Sequence, residues 1–219
     1  NGSGGVTATF IGNLLGYSAV VLHAREPLKQ ELCGRFMTTP GLWSFAMTEM
    51  GCGSDLQKTA TLATKVRGGY LLNGEKNFIT NATHSTHLSI FANLEGVGIS
   101  CFYVPGDSVG LKRGETVDKL GWRESNTGHL HLKDVFVPET HLLGAEGEGL
   151  KILTHCLNRS KTLLAASSVG IATRALDLVE TRLLETVRYE KPLLEQAGIR
   201  HLLARLHTKT QAAWYMACA

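Results

Sequence analysis

Several features that mark specialised proteins are scarce in this sequence. Its five cysteines are odd in number, widely spaced and without a CxxC pair, so neither a disulfide framework nor a zinc site is indicated. The nine histidines lack HExxH or a comparable ligand spacing, and His129 with His131 is the pattern of one strand face. The sequence therefore predicts no metal site and a reducing, intracellular setting.

Long apolar runs and a starting methionine are also lacking. No apolar run approaches the length needed to span a membrane. The first residues, NGSGG, have no basic segment followed by an apolar core. We therefore expect no membrane span, and we expect the chain to be a fragment of a longer protein.

An excess of charge of one sign is lacking too. The 22 Lys and Arg residues against 19 Asp and Glu residues give a formal net charge of +3, which favours polyanionic partners only weakly. The apolar content of 43% and the charged content of 19% are those of an ordinary globular protein. A small anionic molecule is therefore a sufficient partner, and disorder is not expected.

Three regions of the chain follow different patterns. In residues 1–40, small and apolar residues recur at helical spacing with a break at Pro27, which predicts the end of a helical domain. In residues 41–147, short runs rich in aromatic and β-branched residues alternate with Gly, Asn, Asp and Pro, which predicts an antiparallel β domain. Residues 148–219 carry leucines, isoleucine and valines at three- and four-residue steps, which predicts a long buried helix, a second helix from about Leu193 and an incomplete bundle.

Two hairpins are expected within the β domain. The run GYLLNGEKNF contains Asn-Gly, the commonest pair of a two-residue hairpin turn. The run NLEGVGISCFYV has a longer connection that contains glycine. No strand is predicted after Gly149.

Four segments resemble, in order, those of the acyl-CoA dehydrogenase family. TEMGCGSD, residues 48–55, resembles the Thr-Glu-Pro-Gly-X-Gly-Ser-Asp signature. GEKNFITNA, residues 74–82, resembles the Gly-X-Lys-X-Trp-Ile-Thr-Asn segment. Residues 118–138 resemble the Lys-Leu-Gly-X-Arg-X-Ser-X-Thr strand pair, and LLGAEGEGLKIL, residues 142–153, resembles the junction into the C-terminal bundle. Four ordered motifs are far more specific than one short pattern.

The resemblance implies a fold and a function. The fold is of the α+β class, with a small antiparallel β-barrel domain flanked by helical domains. The function is FAD-dependent α,β-dehydrogenation of an acyl-CoA thioester, with electrons passed to an electron-transfer flavoprotein. A homodimer or homotetramer in the mitochondrial matrix or the bacterial cytoplasm is implied as well.

The resemblance also implies which residues form the site. The residues that would border FAD are Phe45, Met47, Thr48, Gly53, Ser54, Phe78, Ile79 and Thr80. Gly51 and Gly53 would let the backbone approach the cofactor closely, and the Thr80 hydroxyl would point at flavin N5. Residues that would meet the substrate are Ser54, Asn158 and Lys161. From the residues alone, a core aromatic at Phe78 and an ordinary strand threonine at Thr80 are the simpler interpretation.

The catalytic base stays unknown. The family's usual glutamate would lie beyond Ala219, and the position used by the isovaleryl and long-chain branches is Ser160, which cannot act as that base unaided. Glu146 and Glu148 lie in the junction, where solvated carboxylates are usual. For Arg123, Ser125 and Thr127, which alternate as a strand face would, a solvated or turn-stabilising role is at least as well supported as a cofactor role.

Departures from the family pattern leave two alternatives open. Met50 replaces the signature proline, Lys161 replaces a helix arginine, and Thr186 replaces the arginine that reaches the FAD pyrophosphate across a subunit contact, unless Arg188 substitutes for it. One alternative is an acyl-CoA oxidase. The other is a flavin-binding homologue that acts by DNA or protein binding. The basic residues that motivate it, which a solvated helix face explains equally well, are Arg188, Lys191, Arg200, Arg205 and Lys209.

Overall fold

Two helices open the chain in the computed structural model, which describes residues 3–219. Helix α1 spans Gly4–His23, and the Ser3 side chain caps it by accepting a hydrogen bond from the Gly5 amide at 3.0 Å. Helix α2 spans Glu26–Thr38. Pro27 lies in its first turn, where the missing N–H group costs nothing. The predicted break therefore falls just before Pro27.

Eight strands form one sheet between the helices. They are β1 (Trp43–Ala46), β2 (Leu62–Val66), β3 (Gly69–Thr80), β4 (His87–Leu94), β5 (Gly98–Pro105), β6 (Leu111–Thr116), β7 (Thr127–Pro138) and β8 (Leu142–Leu143). Their order is β6-β7-β3-β2-β4-β5-β8, and β1 also pairs with β4. The pairs β1–β4 and β2–β4 are parallel, and the other pairs of this sheet are antiparallel.

The sheet curls so that its two halves share one core. Leu130 and Val135 of β7 pack in the same buried cluster as Ile90 of β4 and Phe102 of β5. The outer face of β4 and β5 packs instead against helices, where Phe91 joins residues of α1, α2 and the long helix α3 (Gly149–Glu185). The α+β fold class with a barrel-like sheet between helices is confirmed.

The hairpin predicted at Asn73-Gly74 is wrong. Both residues lie inside the continuous strand β3, where Gly74 has φ +145° and the register shifts against β7. Asn73 accepts a hydrogen bond from the Asp134 amide at 2.8 Å, so β7 holds this point extended. The hairpin between β4 and β5 is confirmed, while the sequence missed the short strands β2 and β6.

The last part of the chain is helical, with α4 at Ala197–Cys218. A two-residue ladder, Val187–Arg188 with Lys191–Pro192, joins α3 to α4, and the sequence did not predict it. The expectation that α3 is buried throughout is wrong. Its first turns pack on the sheet, but Leu163, Ile171 and other apolar side chains further along are exposed.

Helices α1 and α3 are long and apolar enough, by length and composition only, to cross a membrane. The expectation that no run approaches this length therefore fails for these two helices. Such helices are weak evidence of a span, because core helices of soluble proteins also meet both criteria. Helix α1 lies directly on the sheet: a Cβ atom added at Gly16 would come within 2.9 Å of the Ser44 carbonyl oxygen.

Candidate functional site

Two of the family-like segments meet beside the end of β3. The first is the loop between β1 and β2, residues 47–61, hereafter the β1–β2 loop. The Asn77 amide donates a hydrogen bond to the Thr48 carbonyl oxygen at 2.8 Å. The Lys76 ammonium donates to the Met47 carbonyl oxygen at 3.1 Å. The fold thus places the start of this loop beside Lys76 and Asn77, directly before Phe78.

A buried ion pair fastens this contact. Lys76 is fully buried, Glu49 is 7% exposed, and the Lys76 Nζ lies 2.7 Å from the Glu49 Oε1. The same carboxylate accepts hydrogen bonds from the Ala60 amide at 2.7 Å, the Thr61 amide at 3.1 Å and the Thr61 hydroxyl at 2.6 Å. One side chain therefore ties both ends of the β1–β2 loop to β3.

The surroundings of the pair keep it ionised. Burial raises the pKa of the Glu49 carboxyl, but the hydrogen bonds from Lys76 and Thr61 outweigh burial, and the pKa lies below its ordinary value of 4.5. Burial lowers the pKa of the Lys76 ammonium from its ordinary value of 10.5, against the hydrogen bond with Glu49 that raises it. We take Lys76 as charged, because its partner is a carboxylate stabilised by three other donors.

Phe78 is held in an unusual conformation. Its φ is +58°, in the left-handed region that costs a non-glycine residue about 1–3 kcal/mol. Its neighbours Asn77 and Ile79 are buried, while its own side chain is 52% exposed. The ring meets His129 edge-on at 5.8 Å, and the His129 Nδ1 lies 2.6 Å from the Asn77 Oδ1. The core-aromatic interpretation of Phe78 is therefore wrong, since the backbone turns this ring outward.

The glycines of the β1–β2 loop leave open space. Gly51 and Gly53 are not among the residues with positive φ, so the turn itself does not require glycine there. A Cβ atom added at either position would meet nothing within 4 Å. Ser54 beside them is exposed. This stretch of backbone is therefore open to a ligand that comes close to its peptide groups.

The remaining residues predicted for the cofactor side differ in what they expose. Met47 and Ile79 are buried in the two cores, so only their backbone can face a ligand. Phe45 is half-buried and meets Phe91 edge-on at 4.8 Å. Thr80 is half-buried, and a Cβ atom added at Gly12 would lie 2.6 Å from its Cγ2. Helix α1 therefore passes directly over Thr80, which places this threonine at a helix–sheet contact.

The residues predicted to meet the substrate lie partly on another element. Asn158 and Lys161 are exposed on α3, where the Lys161 ammonium donates to the Asn158 Oδ1 at 3.2 Å. No hydrogen bond between described residues joins them to the β1–β2 loop. Ser160 lines an apolar cavity of about 260 Å³ between α1 and α3, together with Leu14 and Leu163.

The junction carboxylates are already engaged. Glu146 accepts hydrogen bonds from Lys65 at 2.8 Å and from the Tyr70 hydroxyl at 2.7 Å, which lower its pKa. Glu148 accepts one from Lys151 at 2.8 Å, with the same effect on its pKa. Low pKa values and existing partners make poor general bases for a weakly acidic proton.

The segment before β7 is a turn. Arg123 forms an ion pair with Asp118 at 2.9 Å, and the Ser125 amide donates to the Trp122 carbonyl oxygen at 3.0 Å. Thr127 is the first residue of β7. The strand-face interpretation of Arg123 and Ser125 is therefore wrong, and the turn-stabilising one fits.

A larger cavity, of about 880 Å³, lies elsewhere. It opens near the start of β4 and is lined by side chains that include Arg35, His87, Tyr103 and Arg113. None of the residues predicted for the site lines it. Size alone therefore does not locate the site, and we place it where the family-like segments meet.

Comparison with known proteins identifies the family. The model of the acyl-CoA dehydrogenase middle domain matches residues 44–135, and the model of the acyl-CoA dehydrogenase C-terminal domain matches residues 147–219. Since the two models together cover most of the chain, it belongs to the acyl-CoA dehydrogenase family.

Relatives and solved structures agree with this assignment. The short/branched chain specific acyl-CoA dehydrogenase of mitochondria from Rattus norvegicus is 34% identical over 181 residues, which are 81% of this chain and 42% of that protein. Butyryl-CoA dehydrogenase from Megasphaera elsdenii has a TM-score of 0.94 at 30% identity, over 99% of this chain and 59% of that chain. An acyl-CoA dehydrogenase from Bacillus anthracis, solved in complex with FAD, has a TM-score of 0.91 at 31% identity, over 95% of this chain and 36% of that chain. This chain spans about half the length of the curated relatives that it matches.

Proposed function

We propose that this chain is the flavin-binding part of an FAD-dependent acyl-CoA dehydrogenase, which forms a double bond between the α and β carbons of an acyl-CoA thioester. The observation that carries the proposal is the meeting of the β1–β2 loop with β3. The Thr48 carbonyl oxygen accepts from the Asn77 amide, directly before the exposed, left-handed Phe78. Gly51 and Gly53 of the same loop leave open space. The FAD held by the related Bacillus anthracis structure supports it.

The residues of the candidate site are assigned different roles in binding and orienting FAD. When bound, FAD supplies hydride acceptance, and the protein supplies binding and orientation. We assign Thr48, Gly53, Ser54 and the backbone of Met47 and Ile79 to binding, and the Thr80 hydroxyl to orienting the reacting edge. Phe45 and Phe78 supply apolar surface that excludes water.

The acyl chain is assigned to the apolar cavity between α1 and α3. Leu14 and Leu163 offer it apolar surface, and Ser54, Asn158 and Lys161 are assigned to the polar end of the thioester. The Lys161 ammonium suits an anionic substrate, which agrees with the weak positive charge of the chain. No carboxylate of the described residues lines this cavity, so the base remains unassigned.

The partners and the organisation are also part of the proposal. We propose an electron-transfer flavoprotein as the electron acceptor, a homodimer or homotetramer as the assembly, and the mitochondrial matrix or the bacterial cytoplasm as the setting. The mitochondrial rat relative supports the first of these settings. In such an assembly, Arg188 in the exposed ladder after α3 replaces the arginine lost at Thr186. We keep the domain boundaries at residues 1–40, 41–147 and 148–219.

Titration of the purified chain with FAD tests the proposal. We expect the chain to turn yellow and to retain FAD through gel filtration without a covalent bond. A chain that stays colourless would contradict the proposal. Turnover that releases hydrogen peroxide would favour the oxidase alternative. Retention on DNA that falls with salt would favour the binding alternative, although Glu190 and Glu195 interrupt the basic residues around Lys191.

The change Thr80→Ala should slow flavin reduction by substrate more than it weakens FAD binding. One lost hydrogen bond is worth about 1 kcal/mol, or about fivefold in cofactor affinity, whereas a hydroxyl at the reacting edge also orients the hydride acceptor. FAD affinity and the anaerobic rate of flavin bleaching are measured on the same preparation. Thr83→Ala, in the turn after β3, is the control. Equal losses of affinity and rate would place Thr80 away from the reacting edge.

A further inference from the structure

The hydrogen bonds of the Glu49–Lys76 ion pair connect both ends of the β1–β2 loop to β3. The Glu49 carboxylate accepts from Lys76 on β3 and from Ala60 and Thr61, 11 and 12 positions further along the chain. Lys76 in turn donates to the Met47 carbonyl oxygen, which precedes the loop's turn. The pair thus closes the β1–β2 loop at its base and anchors the closed loop to the strand that carries Phe78.

Stability alone does not explain a charged pair here. Taking two charges out of water is costly, and apolar residues of similar volume often serve a core equally well or better. An ion pair differs from an apolar contact because it fixes the direction and length of each bond. Here those bonds set the register between the loop and β3, since the Asn77 amide next to Lys76 bonds the Thr48 carbonyl oxygen next to Glu49.

We propose that Glu49 and Lys76 are positioning residues that hold the β1–β2 loop in its flavin-binding conformation before the cofactor arrives. The identity of the ligand rests on the proposed function, whereas the preordering of the loop is a property of the protein alone. A loop that is already ordered does not lose conformational freedom on binding, and this raises affinity. Breaking the pair without leaving a lone charge should therefore loosen the loop and weaken FAD binding.

The test is the double variant Glu49→Gln/Lys76→Met, which removes both charges together. Three quantities are measured: the thermal midpoint, hydrogen exchange of the Glu49, Cys52 and Asn77 amides without cofactor, and the dissociation constant of FAD. These amides donate within the loop or from β3 to the loop. The matched control is Glu146→Gln/Lys65→Met, which removes the ion pair between β2 and the junction.

We expect exchange of the three loop amides to accelerate about tenfold or more while the amides of β4 and β5 keep their protection. We expect FAD affinity to fall about tenfold or more, with the control close to the unsubstituted chain in both. Wild-type exchange and wild-type affinity in the double variant would overturn the proposal, and so would losses that merely track the thermal midpoint across variants.

Two further outcomes remain decisive. If the double variant does not fold, Glu49→Gln/Lys76→Gln, which leaves no lone charge and keeps polar groups on both sides of the contact, takes its place with the same criteria. If the unsubstituted chain takes up no FAD, the proposed function fails. The exchange rates of the loop amides then decide on the positioning role by themselves.

Discussion

Replacing Lys76 with methionine should lower the free energy of unfolding by about 3–5 kcal/mol, because it leaves the Glu49 carboxylate buried without its counter-charge. Lys76 is fully buried and lies 2.7 Å from that carboxylate. Methionine fills much of the same volume, so the loss measures the unpaired charge more than a cavity. Urea titration followed by tryptophan fluorescence gives the free energy, and an unchanged slope shows that the unfolding reaction is the same.

The dependence on pH separates this cause from general damage. In the unsubstituted chain the Glu49 pKa is lowered by folding, so its contribution is present above the ordinary value of 4.5 and is lost as pH falls through the folded value. In the variant the unpaired carboxyl has a raised pKa, so it is already protonated at mildly acidic pH. Protonation removes the cost of burying an unpaired charge. The difference in free energy of unfolding between the unsubstituted chain and the variant should therefore become smaller as the pH falls. A difference that stays constant with pH, or a similar difference for Lys65→Met, would contradict the explanation.

The order of helices and strands could be predicted from the sequence because local patterns carry it. Apolar residues at helical spacing marked α1 and α3, and the aromatic and β-branched runs marked β4 and β5. The Asn73-Gly74 turn failed because β3 pairs with β7 along most of its length, and this pairing holds a local turn signal in an extended strand. The exposed face of α3 could not be read either, since an apolar periodicity does not say which neighbours cover it.

The segments that the resemblance singles out do meet in the fold, but the ion pair that joins them was missed. Lys76 stands between Glu75 and Asn77 in a polar run, the usual setting of a solvated lysine. Its partner Glu49 is 27 positions away, and only the fold brings them together. The left-handed backbone of Phe78 was equally hidden, because a phenylalanine gives no sequence signal for positive φ.

The change Ser160→Glu should raise the rate at which acyl-CoA thioesters reduce the bound FAD by at least about 100-fold. In the unsubstituted chain we expect this reduction to be very slow. The reason is that no carboxylate of residues 3–219 lines the cavity that we assign to the acyl chain. The family resemblance implies that Ser160 aligns with the base position of the isovaleryl and long-chain branches, and its side chain borders the apolar cavity between α1 and α3. A glutamate there would be partly desolvated, which raises its pKa toward that of a useful base.

The measurement is anaerobic mixing of FAD-loaded protein with a panel of acyl-CoA thioesters while the flavin absorbance is followed. Ser160→Gln is the matched control, because glutamine has the size of glutamate and cannot take the α-proton. If Ser160→Glu reacts no faster than Ser160→Gln, then α3 does not bring this position to the reacting carbon, and the assignment of the cavity to the acyl chain falls with it. Rapid bleaching by the unsubstituted chain would instead reveal a base among the described residues. Glu146 and Glu148 would be the first to test, because they lie in the junction at the start of α3. Acting as the base would require either one to leave the partners that now lower its pKa.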